Sequence, residues 1–458
     1  MPRMQVPGVG TSIPQCRRHQ TRNTIMTVNG NGQASPAKLK VAIVGGGPGG
    51  LATAIALSKI PDVQVQIYEK DKVLREVGAG INIGPNSWNV LELLGVADSL
   101  VSGHQCNVVL NMNGRSGAEL HQNQRPGDPE WPAGEWRVRP TIRTQRTKLQ
   151  SALLAHVGPG VIQLSKRLDQ IVNLGAEGVE LKFADGTTET ADLVVGADGI
   201  RSMVRDSAWP DYQIAFTGTT IWRALLPLED LTAQDARFGH TGWWHLPNSH
   251  VYFSPVGEGL GEIATREYQD PAVHSASKVV WGVPVTNEHV EGHFKEFLPQ
   301  IQAALKRVPD GAWREFAAFA GPELDRLSAW DGKVVLVGDS SHALSGAFGS
   351  GAGFAMEDGW VLAQALRHYG NDVPRAVALF DRVRVPYYHR MYEHLAGEAE
   401  KRKARLRELE VRTGGLTEDD RVKIKVIKEG KDMSWIYQNN IGKVWESALS
   451  ELGEEKGQ

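Results

Sequence analysis

Cysteine is nearly absent: the 458 residues include two, Cys16 and Cys106. Neither sits in a CxxC pair or beside clustered histidines, which disfavours a disulfide framework or a thiolate metal site and suits a reducing, cytoplasmic setting. No apolar run approaches the roughly 18 residues that span a bilayer, so the chain reads as soluble, with no membrane span. Charge of one sign is not in excess either. The 50 Lys and Arg against 53 Asp and Glu leave a formal net charge of −3, which supplies no field for nucleic acid or an anionic membrane. A P-loop NTPase, a zinc protease and an α/β-hydrolase are disfavoured by the lack of their GxxxxGK, HExxH and GxSxG signatures. Acidic residues are missing altogether from residues 1–38, which carry Arg3, Arg17, Arg18, Arg22 and Lys38 among scattered Pro, Gly, Asn and Ser. That composition predicts a disordered extension. An organelle transit peptide is the alternative, against which the Pro and Gly weigh by spoiling an amphipathic helix.

What is present is organised around residues 41–50, VAIVGGGPGG. The apolar run ending at Val44 has strand character, and Gly45, Gly47 and Gly50 fall at GxGxxG spacing. Residues 51–57, LATAIAL, then read as a helix. A strand, a glycine turn and a helix in that order bring free backbone N–H groups and a positive dipole end to one point, where a pyrophosphate can sit. Residues 63–68 form a second alternating strand ending at Glu69, at about the 20-residue spacing where a carboxylate meets a ribose 2′-OH. The nucleotide expected here has a free ribose, as FAD and NAD do.

Length suggests two domains with tails. Residues 86–94 have helical periodicity with Asn86 at the cap, residues 143–154 predict another helix, and residues 179–183 and 187–190 flank Asp185-Gly186 as a hairpin. In residues 192–205 a buried strand stops at Asp198-Gly199, with Arg201 and Arg205 beyond. The stretch 212–286 lacks long helices and predicts a second sheet. Several of the thirteen Trp lie between Trp209 and Trp330, as core or as the lining of an aromatic pocket. Residues 333–359 carry a third strand ending at Gly338-Asp339, a Gly- and Ser-rich loop with Gly349, Gly351 and Gly353, and a helix over 354–366. Beyond Pro386 the chain is helical and charged, a solvated surface.

Together these three motifs resemble the single-component FAD-dependent aromatic hydroxylases, the family that includes salicylate hydroxylase and 6-hydroxynicotinate monooxygenase. The resemblance spans about residues 39–449. It implies an α/β fold: a Rossmann-like FAD-binding domain over 39–210 and 322–385, an interleaved β-sheet substrate domain over 211–321, and a C-terminal helical segment over 386–458. It implies that Gly45, Gly47, Gly50 and Glu69 hold the ADP half of FAD. Asp198 and Gly199 would serve FAD and the nicotinamide cofactor, Gly338 and Asp339 the ribityl chain, and Gly349, Gly351 and Gly353 the isoalloxazine. Arg146 matches the family's arginine on the FAD side. The sequence departs from the family pattern in having Gly346 where Pro is usual, Ser350 where Gln is common, and Ser254-Pro255 in place of a Tyr-Pro pair.

The implied reaction uses NADH or NADPH and O2 to hydroxylate a small phenolic or hydroxy-heteroaromatic acid through a flavin C4a-hydroperoxide, with or without loss of the carboxylate. Such chemistry needs water excluded and a phenolate bound or generated. Arg223 is the first candidate for holding a carboxylate or phenolate, with a sheet-edge salt bridge as its structural alternative. Tyr252 and His245 are candidate acid or base groups, or packing residues. His342, after GDSS and close to the flavin by position, reads as stabilising its loop, with a catalytic role as the alternative. Arg137, Arg139 and Arg143 are candidates for the nicotinamide pyrophosphate or exposed loop charges. His289 and His293 share a helical spacing but lack a third ligand, so no metal site is expected. The partners expected are a small aromatic substrate, NAD(P)H and O2, with the protein a monomer or homodimer. Competing readings are hydroxylation of a larger polyketide-derived phenol without decarboxylation, an O2-independent flavin reductase, and a non-catalytic flavin-binding protein.

Overall fold

Val41, Ala42, Ile43 and Val44 are all buried because their strand, Leu39–Val44, pairs in parallel on both sides, with Val63–Tyr68 and with Leu193–Gly196. A strand covered on both faces reads as a continuous apolar run, without alternation. The full sheet order is Ile162–Gln163, Val63–Tyr68, Leu39–Val44, Leu193–Gly196, Val334–Leu336 and Ser328–Ala329. All pair in parallel except the last. The computed structural model describes residues 27–28, 34–35, 38–74, 79–124, 139–277, 280–344, 346–370, 372–426 and 432–455.

Alternate residues of these strands divide between two cores. Val41, Ile43, Leu193, Val195 and Val335 pack toward the helices Pro48–Leu57 and Gly351–His368. Ala42, Val44, Val194, Val334 and Leu336 pack on the small sheet Leu168–Asn173, Val179–Phe183 and Thr188–Ala191, whose last two strands form the expected hairpin. The two helices approach at small residues. A Cβ on Gly49 would lie 3.0 Å from that of Ala355, and one on Gly359 would meet the Thr53 side chain and lie 2.9 Å from its Cα.

The second sheet has eight strands, in the order Trp281–Pro284, Arg314–Ala320, Ala215–Pro227, Leu260–Tyr268, Ser249–Gly257, Thr241–His245, Val108–Asn113 and Glu119–Gln124. The substrate sheet expected over residues 211–321 thus also draws two strands from residues 108–124. One face packs Trp222, Trp244, Phe253 and Ile263 against the helices Asn287–His293 and Pro299–Leu305. The other faces a cleft.

Two local expectations shift. Residues Ile142–Gln145 form a strand paired with Gly80–Ile83, so the helix expected over 143–154 is Arg146–Leu154. The helix Pro85–Leu94 is capped by Gly84, and Asn86 is buried inside it. The C-terminal segment contains the long helix Val373–Thr413, which runs through Pro386, then Glu418–Val426, Ser434–Tyr437 and Ile441–Glu455. Leu39–Gln458 form one compact unit and Met1–Lys38 another. Within the latter Thr27–Val28 pairs antiparallel with Ala34–Ser35, while the rest of the extension read as disordered lies outside the described residues. Cys106 is a buried free thiol, and Cys16 also lies outside the described residues. Among the described residues no helix is long and apolar enough to cross a membrane.

The helix contact gives a direct check. Gly359→Val forces apart two helices whose surroundings are fully packed, and overpacking of this kind costs about 1–3 kcal/mol. We expect a lower urea midpoint with an unchanged slope; a midpoint equal to wild type would refute the close approach.

Candidate active site

Ala197 N–H donates to the Val44 carbonyl at 2.8 Å, and Val337 N–H to the Gly196 carbonyl at 2.9 Å. The three strands therefore end level, and Gly45, Asp198 and Gly338 emerge side by side. Strands in a sheet lie about 4.8 Å apart, so three turns distant in sequence fall within about 10 Å. The chain leaves Leu39–Val44 toward Val63–Tyr68 on one side and returns on the other with Leu193–Gly196, which makes this the switch point where open α/β sheets bind ligands.

Gly45 has φ +105, and a Cβ there would collide with the Ala197 carbonyl; a Cβ on Gly50 would collide with the Gly45 carbonyl. Gly47 differs: nothing lies within 4 Å of its Cβ position. Its side faces open space at the start of helix Pro48–Leu57, which has no side-chain cap, so that helix keeps N–H groups for a ligand. Glu69 is buried and accepts from Gly46 N–H at 2.7 Å and Asp71 N–H at 3.0 Å. A carboxylate has further lone pairs to offer a ribose.

Asp339 is exposed on the cleft wall and, among the described residues, its carboxylate has no hydrogen-bond partner. The helix Gly351–His368 begins beside it without a side-chain cap, and the buried Ser350 hydroxyl there is likewise without a partner. Gly349 is left-handed (φ +66), and Gly351 lies 3.7 Å, by its Cβ position, from Asp339. Gly353 has another task, since its missing side chain makes room for Ser87 and Asn86 of the neighbouring helix. Both Gly351 and Gly353 fall inside the helix, where the sequence had suggested the loop before it.

Asp198 turns to its own chain. It accepts from the Ser202 hydroxyl at 2.5 Å, Met203 N–H at 2.7 Å and Val204 N–H at 3.2 Å, capping the helix Met203–Ala208. Gly199 (φ +74) leaves the turn open. Arg205 is buried and donates to the carbonyls of Ile200 at 2.9 Å and Ser340 at 3.2 Å, tying the Asp-Gly turn to the Gly-Asp turn. Arg201 and Arg146 line the cleft.

Beneath the Gly-Asp turn lies a buried ionic cluster. Asp358 accepts from Gly338 N–H at 2.9 Å, His342 Nε2 at 3.1 Å, Arg384 Nε at 2.7 Å and the Tyr388 hydroxyl at 2.6 Å. Burial would raise its carboxyl, but Arg384 and His342 outweigh it and hold the group down to about 2. His342 stacks on Tyr388 with 3.9 Å between ring centroids. It supports the turn, as its sequence position suggested.

The cleft is continuous, about 3010 Å³, and joins these turns to the open face of the eight-stranded sheet. Arg223, Tyr252, Trp243 and His245 line that face. Arg223 donates to Glu262 through Nε at 2.9 Å and to the Gly80 carbonyl at 2.7 Å. Glu262 is fully buried, also pairs with Arg143, and accepts from Gly80 N–H at 2.9 Å. Burial raises the Glu262 carboxyl, yet Arg223 and Arg143 more than reverse this and keep it below the usual carboxylate range. Arg223 thus presents one edge to the cleft from a guanidinium already held. Tyr252 is buried against Arg143, whose guanidinium lies 5.5 Å from the ring centroid. Burial lifts its phenol above the ordinary value although Arg143 pulls it back, so the group stays an O–H donor at neutral pH. His245 shares its Nε2 with Asn111 Oδ1 at 3.1 Å.

Of the remaining candidates, Arg139 is paired with Glu92 and Asp98, each at 2.5 Å, and Arg137 lies outside the described residues. His289 and His293 turn to Glu315 at 3.0 Å and Glu267 at 2.8 Å; no metal-binding cluster occurs among the described residues. Glu262, Arg266 and Lys425 line or support the cleft and were not singled out from the sequence. For the first two the available signal was the strand Leu260–Tyr268, in which Glu262 and Arg266 fall on one face and Glu267 on the other.

The model of the FAD binding domain family matches residues 38–373. The 3-amino-4-hydroxybenzoate 2-monooxygenase PtmB3 of Streptomyces platensis is 30% identical over 353 residues, which cover 76% of this chain and 84% of that protein. The 3-hydroxybenzoate 6-hydroxylase of Klebsiella oxytoca is 28% identical over 355 residues, 76% and 85% of the two chains. A solved salicylate hydroxylase substrate complex superposes with a TM-score of 0.70 at 24% identity, over 90% of this chain and 98% of the other. FAD fits the residues present: the two uncapped helix starts, the open Gly47, the unpartnered Asp339 and the orphaned Ser350 hydroxyl all face the space that such a dinucleotide needs.

Two variants probe the ionic supports. Glu262→Gln leaves Arg143 and Arg223 facing each other without their carboxylate, and losing one partner of a buried pair costs about 3–5 kcal/mol; the check is the unfolding free energy in urea. Because the folded-state value of Asp358 is depressed, its contribution is complete above the unfolded carboxylate value of about 3.9 and fades as pH falls toward 2. Asp358→Asn should therefore lose stability at pH 7 and flatten the acid limb of the stability curve. An acid limb identical to wild type would contradict this.

Proposed function

The chain belongs to the FAD binding domain family and is an FAD-dependent aromatic monooxygenase, and from that premise we propose that it hydroxylates a small phenolic or hydroxy-heteroaromatic acid at the expense of NADH or NADPH and O2. The observation that carries the reading is the single cleft, which runs without a break from the FAD cradle to a sheet face offering one held guanidinium, one neutral phenol and one imidazole. Bound FAD supplies the chemistry that reduces O2 and delivers one oxygen atom to the ring, without a metal. The chain's own residues do the rest. Gly45, Gly47, Gly50 and Glu69 hold the adenosine half, and Asp339 with the start of helix Gly351–His368 holds the ribityl and ring portions. Arg146, Asp198, Gly199, Gly349 and Gly351 complete the walls around it, Asp198 by holding its turn in shape, while Gly353 serves from behind by letting the neighbouring helix close in.

On the opposite wall the Tyr252 O–H donates to the phenolic oxygen and favours the negative charge that grows there as the ring becomes nucleophilic. Arg223, kept rigid by Glu262, adds fixed positive charge at no reorganisation cost. His245 receives the phenolic proton. Trp243 packs against Tyr252 at 4.8 Å between centroids and, with Phe316, presents an aromatic surface that excludes water from the reacting face. Relatives named for 3-amino-4-hydroxybenzoate and 3-hydroxybenzoate support a substrate of this size. The same reading takes the enzyme as cytoplasmic, a monomer or homodimer, and the segments 39–210 with 322–385, 211–321 and 386–458 as its cofactor, substrate and C-terminal parts.

The deciding experiment is a screen of salicylate, 3-hydroxybenzoate and 3-amino-4-hydroxybenzoate for stimulated oxidation of NADH and of NADPH. We expect O2 uptake matched to a product carrying one added oxygen, and CO2 release if the carboxylate is displaced. Nucleotide oxidation that no aromatic acid accelerates would reject the reading. For an acid that turns over, Tyr252→Phe should lower kcat/KM about 100-fold, the effect of deleting one preorganised donor, with FAD content unchanged.

A further inference from the structure

The inner part of the cleft is electrically balanced, since Glu262 answers Arg143 and Arg223. One step outward the balance ends. Arg266 pairs across the ladder with Ile221 on one side and His250 on the other, while the adjacent cleft-facing position, Ala264, lies opposite Arg223 and Tyr252. Two residues along a strand advance about 7 Å, close to the length of a substituted benzoate. Among the described residues Arg266 makes no ion pair. Its neighbour Glu267 points to the opposite face and is engaged by His293 and Gln269.

A second cation reaches the same place from far along the chain. Helix Glu418–Val426 is pinned to the sheet by Asn113, which donates to Asp419 at 2.7 Å, by Arg115 with Glu418 at 3.0 Å, and by the buried Val422. This seats Lys425 over the turn between two substrate-sheet strands, where its ammonium donates to the carbonyls of Leu246 and Ser249, both at 2.9 Å. An ammonium has three N–H donors, so one remains for the cleft that Lys425 lines. Burial first, then Arg402 and Arg266, pull the Lys425 amine down to about 7. Burial, and then Lys425 and Arg266, likewise keep His250 neutral, well below its ordinary value. Arg266, Arg402 and Lys425 repel one another, Arg266 and Lys425 making no ion pair among the described residues, and an anion bound there would relieve the repulsion.

We propose that Arg266 and Lys425 form a carboxylate-binding subsite at the outer end of the cleft, closed by helix Glu418–Val426, which anchors the acid group of an aromatic substrate whose ring lies over Tyr252. The assignment rests on the hydroxylase reading for the identity of the ring and adds the group that orients it. It also gives the C-terminal segment, which lies beyond the 38–373 family match, a part in choosing the substrate.

Calorimetric titration of the FAD-loaded protein with benzoate, salicylate and 3-hydroxybenzoate, each beside its carboxamide, tests the subsite. We expect at least one acid to bind more tightly than its amide. Arg266→Gln and Lys425→Gln should each weaken that acid about 10-fold or more, the scale of one hydrogen bond to a charged group, and leave the amide unaffected. Binding should also take up protons near pH 7 as the anion restores the Lys425 charge, and this uptake should vanish in Lys425→Gln. Lys425 sits on a partly exposed helix, so its variant stays informative if Arg266→Gln folds poorly. The proposal falls if neither variant changes acid affinity, if no acid of the panel binds, or if the variants lose NAD+ or NADP+ affinity instead, which would make the anion a nucleotide phosphate. Acid binding without turnover keeps the subsite and removes the hydroxylase reading; turnover indifferent to both variants does the reverse.

Discussion

Parallel hydrogen bonding among Leu39–Val44, Leu193–Gly196 and Val334–Leu336 is the constraint on which the rest of the molecule depends. Parallel neighbours all end at the same edge of a sheet, so three turns that are far apart along the chain open into one space. Glycine is required there for two separate reasons. Gly45 and Gly50 keep backbone from colliding with backbone, while Gly47 keeps a ligand's approach clear. The same edge receives the starts of helices Pro48–Leu57 and Gly351–His368, whose uncapped N–H groups make the space favourable for an anion.

Two buried ionic clusters hold the walls of that space. Asp358 fixes the Gly-Asp turn from below through its bond to Gly338 N–H, and Glu262, buried at the inner end of the cleft, fixes Arg223 and Arg143. Each carboxylate is fully buried and each accepts at least one backbone N–H. Clusters of this kind add little net stability against an apolar replacement, but losing one member leaves a charge stranded. Their use here is positional. They set charged side chains at defined points beside a cleft that must exclude water.

The contrast between the two clusters and the outer end of the cleft is informative. Where the chain needs a guanidinium held still, it supplies a carboxylate. At Arg266 and Lys425 no carboxylate pairs among the described residues, and the two come together from distant parts of the C-terminal half. An electrostatic deficit of this sort is invisible when each residue is read in its local context, because Arg266 lies in an ordinary-looking strand and Lys425 in an ordinary-looking charged helix.

Local patterns were enough to place the strand, turn and helix around Gly45, Gly47 and Gly50, the acid at Glu69, the hairpin around Asp185-Gly186 and the strand that leads into Gly338-Asp339, though it ends at Leu336, because each depends on neighbours within a few residues. They were not enough to assign Asp198, whose carboxylate caps its own helix, or Gly353, whose bare face serves helix packing. Nor did they reveal that residues 108–124 join the second sheet, since strand pairing across that distance leaves no local mark. Arg223 shows the division most sharply: its sequence setting allowed either an anion anchor or a salt bridge, and only the partner 39 residues away, Glu262, decided how its guanidinium is held. Glycine spacing and apolar periodicity are short-range properties of a chain, so sequence alone determined the individual strand, turn and helix units. Ion pairing and burial depend on which distant segments meet, so the convergence of those units and the charges on the open face of the second sheet belonged to the tertiary structure.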